Sequence, residues 1–275
     1  MTMMGMVFLT TKSNSGKDRG KREAAMKYLL QTVNGEIKDI EVFNLKKLID
    51  ERGRLYFHEY RLSDKADGKD LEGYIPVGTL EFVGDYLKAY YGIDHINPIE
   101  IPKEMRNKDY VGRYYKILRK EDLPNRGFSF IKNVTKLKVY TGFMAVNEST
   151  KDFLEGEIFQ VSDTVNFISE YRVFVLNEAI QAIQHYMGDV LVFPNISVIK
   201  EIVSDYTSIE GSSKAFTVDV GIDDKGRTFL IEIHNFNSCG TYGFYEMSLL
   251  EMYRLGFDYL INSNKNLELD DLTIS

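Results

Sequence analysis

Residues 215–235 hold two apolar runs separated by the polar stretch Asp223-Asp224-Lys225-Gly226, the pattern of a β-hairpin. With Lys225-Gly226 as a two-residue loop, the register sets Asp219 opposite Glu232. In the second run Phe229, Ile231 and Ile233 face one way, and Leu230, Glu232 and His234 the other. Further strands are predicted over 128–132, 138–145, 157–161, 169–176 and 180–186. Helical spacing predicts helices over 81–91, where Phe82, Val83, Tyr86, Leu87 and Tyr90 recur, and over 197–205 and 242–262. Toward the start, a strand over 4–10 leads into the polar loop 11–17. A helix then carries Ala25, Tyr28, Leu29 and Thr32-Val33 on one face, and strands follow over 37–43 and 54–59. Asn97-Pro98 and Ile101-Pro102 mark an extended crossing. Mixed α/β elements followed by antiparallel strands with helices predict two lobes, 1–110 and 111–275.

At 275 residues and 44% hydrophobic composition, the chain can bury a large core. A net charge of −7 argues against a nucleic-acid or anionic-membrane partner, both of which need basic surface. The single Cys239 excludes an internal disulfide framework and a cysteine-cluster metal site. The apolar opening lacks a basic start and a small-residue cleavage site and is too short to span a bilayer, so the expected setting is cytoplasmic. Lys65-Ala66-Asp67-Gly68 spells the KxDG signature of covalent nucleotidyl transfer. That chemistry needs a desolvated lysine, whereas Lys65 sits among Asp64, Asp67 and Asp70, so the segment reads as a surface turn.

Charged groups inside apolar strands carry more information, because an unpaired charge there is expensive. Lys132 ends one strand and Lys138 opens the next. Glu170 and Arg172, two apart, share a face, with Tyr171, Val173 and Val175 on the other. Two facing carboxylates repel unless a cation lies between them, and hard oxygen donors beside Asn235 suit magnesium. Two lysines, an arginine that can fork onto phosphate, and the acids suit a magnesium triphosphate. The same charges can instead close into internal salt bridges, Glu170 with either lysine and Arg172 with Asp219. His185 and His95 read as structural, while Tyr186 and Asp189 fall where a substrate loop could lie.

The order of these residues resembles the ATP-grasp ligases, and in particular a compact bacterial and bacteriophage clade. It runs Lys132, Lys138 before Tyr140-Thr141-Gly142, a hydrophobic hinge, Glu170-Tyr171-Arg172, Asp219, then Glu232-x-x-Asn235. The stretch 75–83 before the crossing and Gly240-Thr241-Tyr242-Gly243 before the last helix fit the same pattern, so the resemblance covers about residue 75 to the end. It implies an ATP-grasp fold, with an N-terminal α/β lobe before two antiparallel-sheet subdomains that clamp ATP.

On that resemblance Lys132 and Lys138 reach the α- and β-phosphates, Lys138 also taking part in catalysis. Main chain around Phe159, Gln160, Val161 and Ser162 reads adenine. Glu170 holds the ribose or positions Arg172, and Arg172 faces the transferred phosphoryl group. Asp219, Glu232 and Asn235 carry Mg2+. One departure stands out: the family pattern is Glu-x-Asn, whereas here His234 occupies the alternating position. Either a bulge brings Asn235 to the metal or His234 takes its place. The implied reaction joins a small-molecule or peptide carboxylate to an amine through an acyl phosphate, releasing ADP and phosphate. The alternatives are a kinase on the same fold and a non-catalytic nucleotide-binding regulatory protein.

Overall fold

The computed structural model describes residues 25–94, 96, 100–134 and 141–263. The predicted strand 4–10 and loop 11–17 lie outside them. β1 (Lys27–Gln31) runs between β2 (Glu59–Ser63) and β3 (Ile75–Val77) in a three-stranded parallel sheet. This corrects the helix expected through Tyr28 and Leu29. Tyr28, Leu29 and Leu30 are all buried because both faces of the middle strand are covered, and such a strand has no alternation to read.

The strand expected over 37–43 is instead the start of helix α1 (Ile40–Glu51). Asp39 caps it, accepting from the amides of Glu41 and Val42, and Val42, Leu45, Leu48 and Ile49 form its buried stripe. The strand expected over 54–59 is a short 3-10 turn at Gly53–Tyr56, and β2 begins only at Glu59. Lys65 is exposed in the turn beyond β2, as its acidic neighbours imply. Helix α2 (Leu80–Tyr91) follows the prediction, with Thr79 capping its start and Gly92 left-handed at its end (φ 67°).

After the short helix α3 (Lys108–Val111), the chain builds two four-stranded antiparallel sheets. The cap sheet is formed by β4 (Tyr115–Arg119), β5 (Arg126–Asn133), β6 (Thr141–Val146) and β7 (Ile158–Ser162), in the order β4-β7-β5-β6. The one-turn helix α4 (Glu148–Lys151) links β6 to β7. In the base sheet, β8 (Ser169–Leu176), β9 (Ala179–Gly188), β10 (Ala215–Ile222) and β11 (Thr228–Asn235) lie in the order β11-β10-β8-β9.

Helix α5 (Ile196–Ser208) packs Ile199, Ile202, Val203 and Tyr206 into a core with Val173, Val175, Val218 and Val220 of the base sheet. The last helix, α6 (Ser248–Ser263), starts six residues later than its apolar spacing predicts. Tyr242 (φ 47°) and Gly243 (φ 90°) are left-handed, which no helix tolerates. Leu249, Leu250, Met252, Tyr253 and Phe257 of α6 share one core with β1, α1 and α2. Among the described residues, no helix is long and apolar enough to cross a membrane.

Candidate active site

The base sheet brings the predicted charges into one row. Arg172 of β8 lies beside Asp219 of β10, and Asp219 lies beside Glu232 of β11. The β10–β11 loop spans 223–227 rather than Lys225-Gly226, and Ile222 pairs with Thr228. Taken alone this longer loop would move the register by one residue. Ile231 is an extra residue in the ladder, and its bulge restores Asp219 opposite Glu232. Because the bulge precedes Glu232, regular alternation resumes there, so His234 shares the face of Glu232 and Asn235 does not. A second register shift, between Glu170 and Tyr171, makes Tyr186 the extra residue of β9.

Arg172 forks onto Asp219, with Nε and Nη2 donating to the two carboxylate oxygens at 2.8 and 2.7 Å. Its Nη1 donates to the Gly240 carbonyl at 3.2 Å, and the guanidinium lies 5.1 Å from the Tyr242 ring centre. Tyr186 stacks on Tyr242 at 5.0 Å and donates its hydroxyl to Glu170 at 2.7 Å. Burial works against charge on Arg172, but Asp219 outweighs it and raises the guanidinium above its ordinary value. Asp219 itself is 2% exposed.

Lys132 comes from the cap sheet and lies 3.3 Å from Glu100 and 3.8 Å from Glu232. Burial alone would lower the Lys132 ammonium, yet the two carboxylates outweigh it and hold it above its usual range. Burial pushes Glu100 up, with Lys132 opposing. Burial also acts to raise Glu232, but His234, Lys132 and Arg172 together bring its carboxyl to about 2. His234 Nε2 is 2.6 Å from Glu232 Oε1. Of the predicted internal salt bridges, Arg172–Asp219 is present, whereas Glu170 pairs with the Tyr186 hydroxyl and Lys132 with Glu100. Sequence reading missed Glu100, because no local pattern links the crossing after Pro98 to Lys132.

These groups border one cleft of about 620 Å³ between the two sheets, lined by Lys132, Gln160, Ser162, Glu170, Arg172, Tyr186, Glu232, His234 and Asn235. The Val161 side chain is buried in the cap-sheet core instead. β7 lies between β4 and β5, so the expected base-reading main chain of 159–162 runs inside a sheet paired on both sides. The chain leaves that sheet one step later, and Asp163, Thr164 and Val165 line the cleft. Lys138 and His95 lie outside the described residues. His185 packs its ring edge against Tyr171 at 5.1 Å, and Asp189 accepts from the Leu191 amide of its own loop.

Donor chemistry fits a divalent cation. One ligand atom each from Asp219, Glu232 and His234 lie within 4.8 Å of one another. Asn235 borders the same cleft, and its Oδ1 is buried without a hydrogen-bond partner while Nδ2 donates to the Gly256 carbonyl at 3.3 Å.

Residues 110–252 match a family model described as an ATP-grasp domain, family 2 of its clade. A comparison with curated proteins finds no match. Among solved structures, D-cycloserine synthetase DcsG superposes with a TM-score of 0.51 and 9% identity, over 85% of this chain and 99% of that one. The D-alanine--D-alanine ligase from Bacillus anthracis complexed with ATP gives 0.46 and 11%, over 89% and 99%. A RimK domain protein from Sphaerobacter thermophilus gives 0.46 and 12%, over 86% and 100%. At such identities the likeness to DcsG is one of fold. The family model, however, covers half of the chain or more and takes in every described residue of the base-sheet row and Lys132, and so the chain belongs to the ATP-grasp domain family.

Proposed function

We propose that the protein is an ATP-dependent ligase that joins a carboxylate to an amine. The observation that carries this reading is the convergence of Lys132, Arg172, Asp219 and Glu232 on one cleft between two sheets. In this reading residues 111–275 form the catalytic region, and residues 1–110 form the lobe that adjoins it.

A carboxylate is a poor electrophile toward an amine. Its oxygen attacks the γ-phosphorus of ATP, the bond to the β-phosphate oxygen breaks, and ADP leaves. The amine then attacks the acyl phosphate, expelling phosphate and losing a proton to solvent. Lys132 is held charged by Glu100 and Glu232, poised to exchange those carboxylates for α- and β-phosphate oxygens. Lys138 is assigned the same task. Arg172, pinned by Asp219 and by the Tyr186–Tyr242 stack, offers its charge to the transferred phosphoryl group. Glu170 holds Tyr186 and borders the expected ribose position, while Gln160, Val161 and Ser162 belong to the wall beside the base. A divalent cation held by Asp219 and Glu232, with His234 or Asn235, would supply charge neutralisation at the phosphate oxygens. Much of the remaining rate comes from holding acid and phosphate in line.

The mutual pairing of these charges also suits a nucleotide-binding protein without turnover, and the assay separates the two. The protein is incubated with the divalent salt, ATP labelled at the α-phosphate, and pools of amino acids and peptides. Ligation predicts labelled ADP that depends on both an acid and an amine. Lys132→Ala and Glu232→Ala should each lower ADP formation by about a hundredfold or more while the fold persists. ADP formed without an amine would instead mean a kinase, and unchanged bound ATP a binding protein.

A further inference from the structure

The donor set at the candidate cation site is not all oxygen. Glu232 and His234 lie two apart on β11, beyond the bulge, and project from the same face. Asp219 lies across from Glu232, and a ligand atom of each of the three falls within 4.8 Å of the others. Asn235, which a Glu-x-Asn strand would place here, falls on the other side and is tied through Nδ2 to Gly256. Mg2+ is a hard ion that prefers carboxylate, carbonyl and water oxygens. An imidazole nitrogen lowers the advantage of Mg2+ and favours first-row ions, among which Mn2+ also suits carboxylates.

We propose that His234 coordinates the cation together with Asp219 and Glu232, and that the site therefore takes Mn2+ in preference to Mg2+. This deepens the ligase reading and rests on it only in placing a divalent cation between the two acids. The close approach of His234 Nε2 to Glu232 Oε1 aims both atoms at one point. A cation entering there replaces the proton the two share, and the proton leaves to solvent. Arg172 donates once to each Asp219 oxygen, which leaves lone pairs on both for a metal. Two carboxylates and one neutral imidazole leave the ion a net charge near zero, with open positions for phosphate oxygens or water.

Pulsed EPR on the whole protein loaded with Mn2+ alone, and again with a non-hydrolysable ATP analogue, tests the assignment directly. Nitrogen modulation from a bound imidazole is expected in the natural protein and should vanish in His234→Asn and His234→Gln. Titrations in parallel should show Mn2+ bound roughly tenfold or more tightly than Mg2+, with that ratio falling about tenfold in both variants. Thermal unfolding confirms that each variant is folded, and the two variants guard against a defect peculiar to either. Cation binding that Glu232→Gln abolishes, but without nitrogen modulation in the natural protein, overturns the role of His234 and leaves the ligase reading standing. An unchanged ratio in His234→Asn and His234→Gln overturns it equally. Failure of the natural protein to bind either cation, with or without the analogue, overturns both readings.

Discussion

Arg172 and Asp219 show how much of the site depends on a single pair. Both are buried, and the carboxylate takes both of its strongest hydrogen bonds from one guanidinium. Arg172→Ala strands the Asp219 charge and should cost about 3–5 kcal/mol in denaturant unfolding. The equivalent loss is smaller if Asp219→Asn is combined with it, because the orphaned charge is then gone. Cys239, beside the same arginine, has its thiol pushed up to about 12 by burial. The thiolate is the reactive form, so maleimide labelling of the folded protein near pH 7 should run roughly a thousandfold slower than for a free cysteine. The rate should rise with pH up to about 12, as the thiolate fraction grows. Rapid labelling at pH 7 would contradict the packing described. Arg172, Asp219 and Glu232 were legible from residue type and alternation. Glu100 was not, since its partner Lys132 is near it only after folding.

Elements carry their own lesson in glycine. A Cβ at Gly256 of α6 would lie 2.1 Å from the Phe236 carbonyl oxygen, so the helix meets the end of β11 without room for a side chain. At Gly84 of α2 a Cβ meets nothing within 4 Å. Gly256→Ala should therefore destabilise by about 1–3 kcal/mol, and Gly84→Ala should stabilise by about 0.5–1 kcal/mol, both readable from thermal or denaturant melts. The base-sheet strands were legible because each has one face toward the cleft and one toward the core, which preserves alternation. The hairpin register was reached through two departures that cancel: a longer loop at 223–227 and the extra Ile231. β1 was misread because it is covered on both faces, and α1 because its stripe was cut short at Phe43 instead of being followed to Ile49.

Across the whole molecule, the loop after β11 ties the N-terminal lobe to the cleft. Ser238 Oγ donates to the Gly78 carbonyl at 2.7 Å, and Glu41 of α1 accepts from the Thr241 amide at 2.9 Å and from its hydroxyl. Asn237, Ser238, Cys239 and Gly240 of this loop line the cleft. Removing the carboxylate in Glu41→Ala should cost about 1.5–3 kcal/mol of stability. In the ligase reading it should also raise the KM for the acid or amine more than that for ATP, since the phosphate-facing Lys132 and Arg172 are untouched. Equal changes in all three constants would show that the tether supports the fold alone.

Local periodicity was sufficient to determine the base-sheet strands, the shared face of Glu170 and Arg172, and the facing of Asp219 and Glu232, because each depends on neighbours close in the chain. The resemblance to ATP-grasp ligases came from the same residues in order. Tertiary structure alone decided that β8 pairs with β10, which sets Arg172 on Asp219, and that Glu100 neutralises Lys132. It also decided that the β11 bulge falls before Glu232, leaving His234 rather than Asn235 on the acid face. These depend on strand neighbours and burial between segments far apart in sequence, and no window along the chain contains both partners.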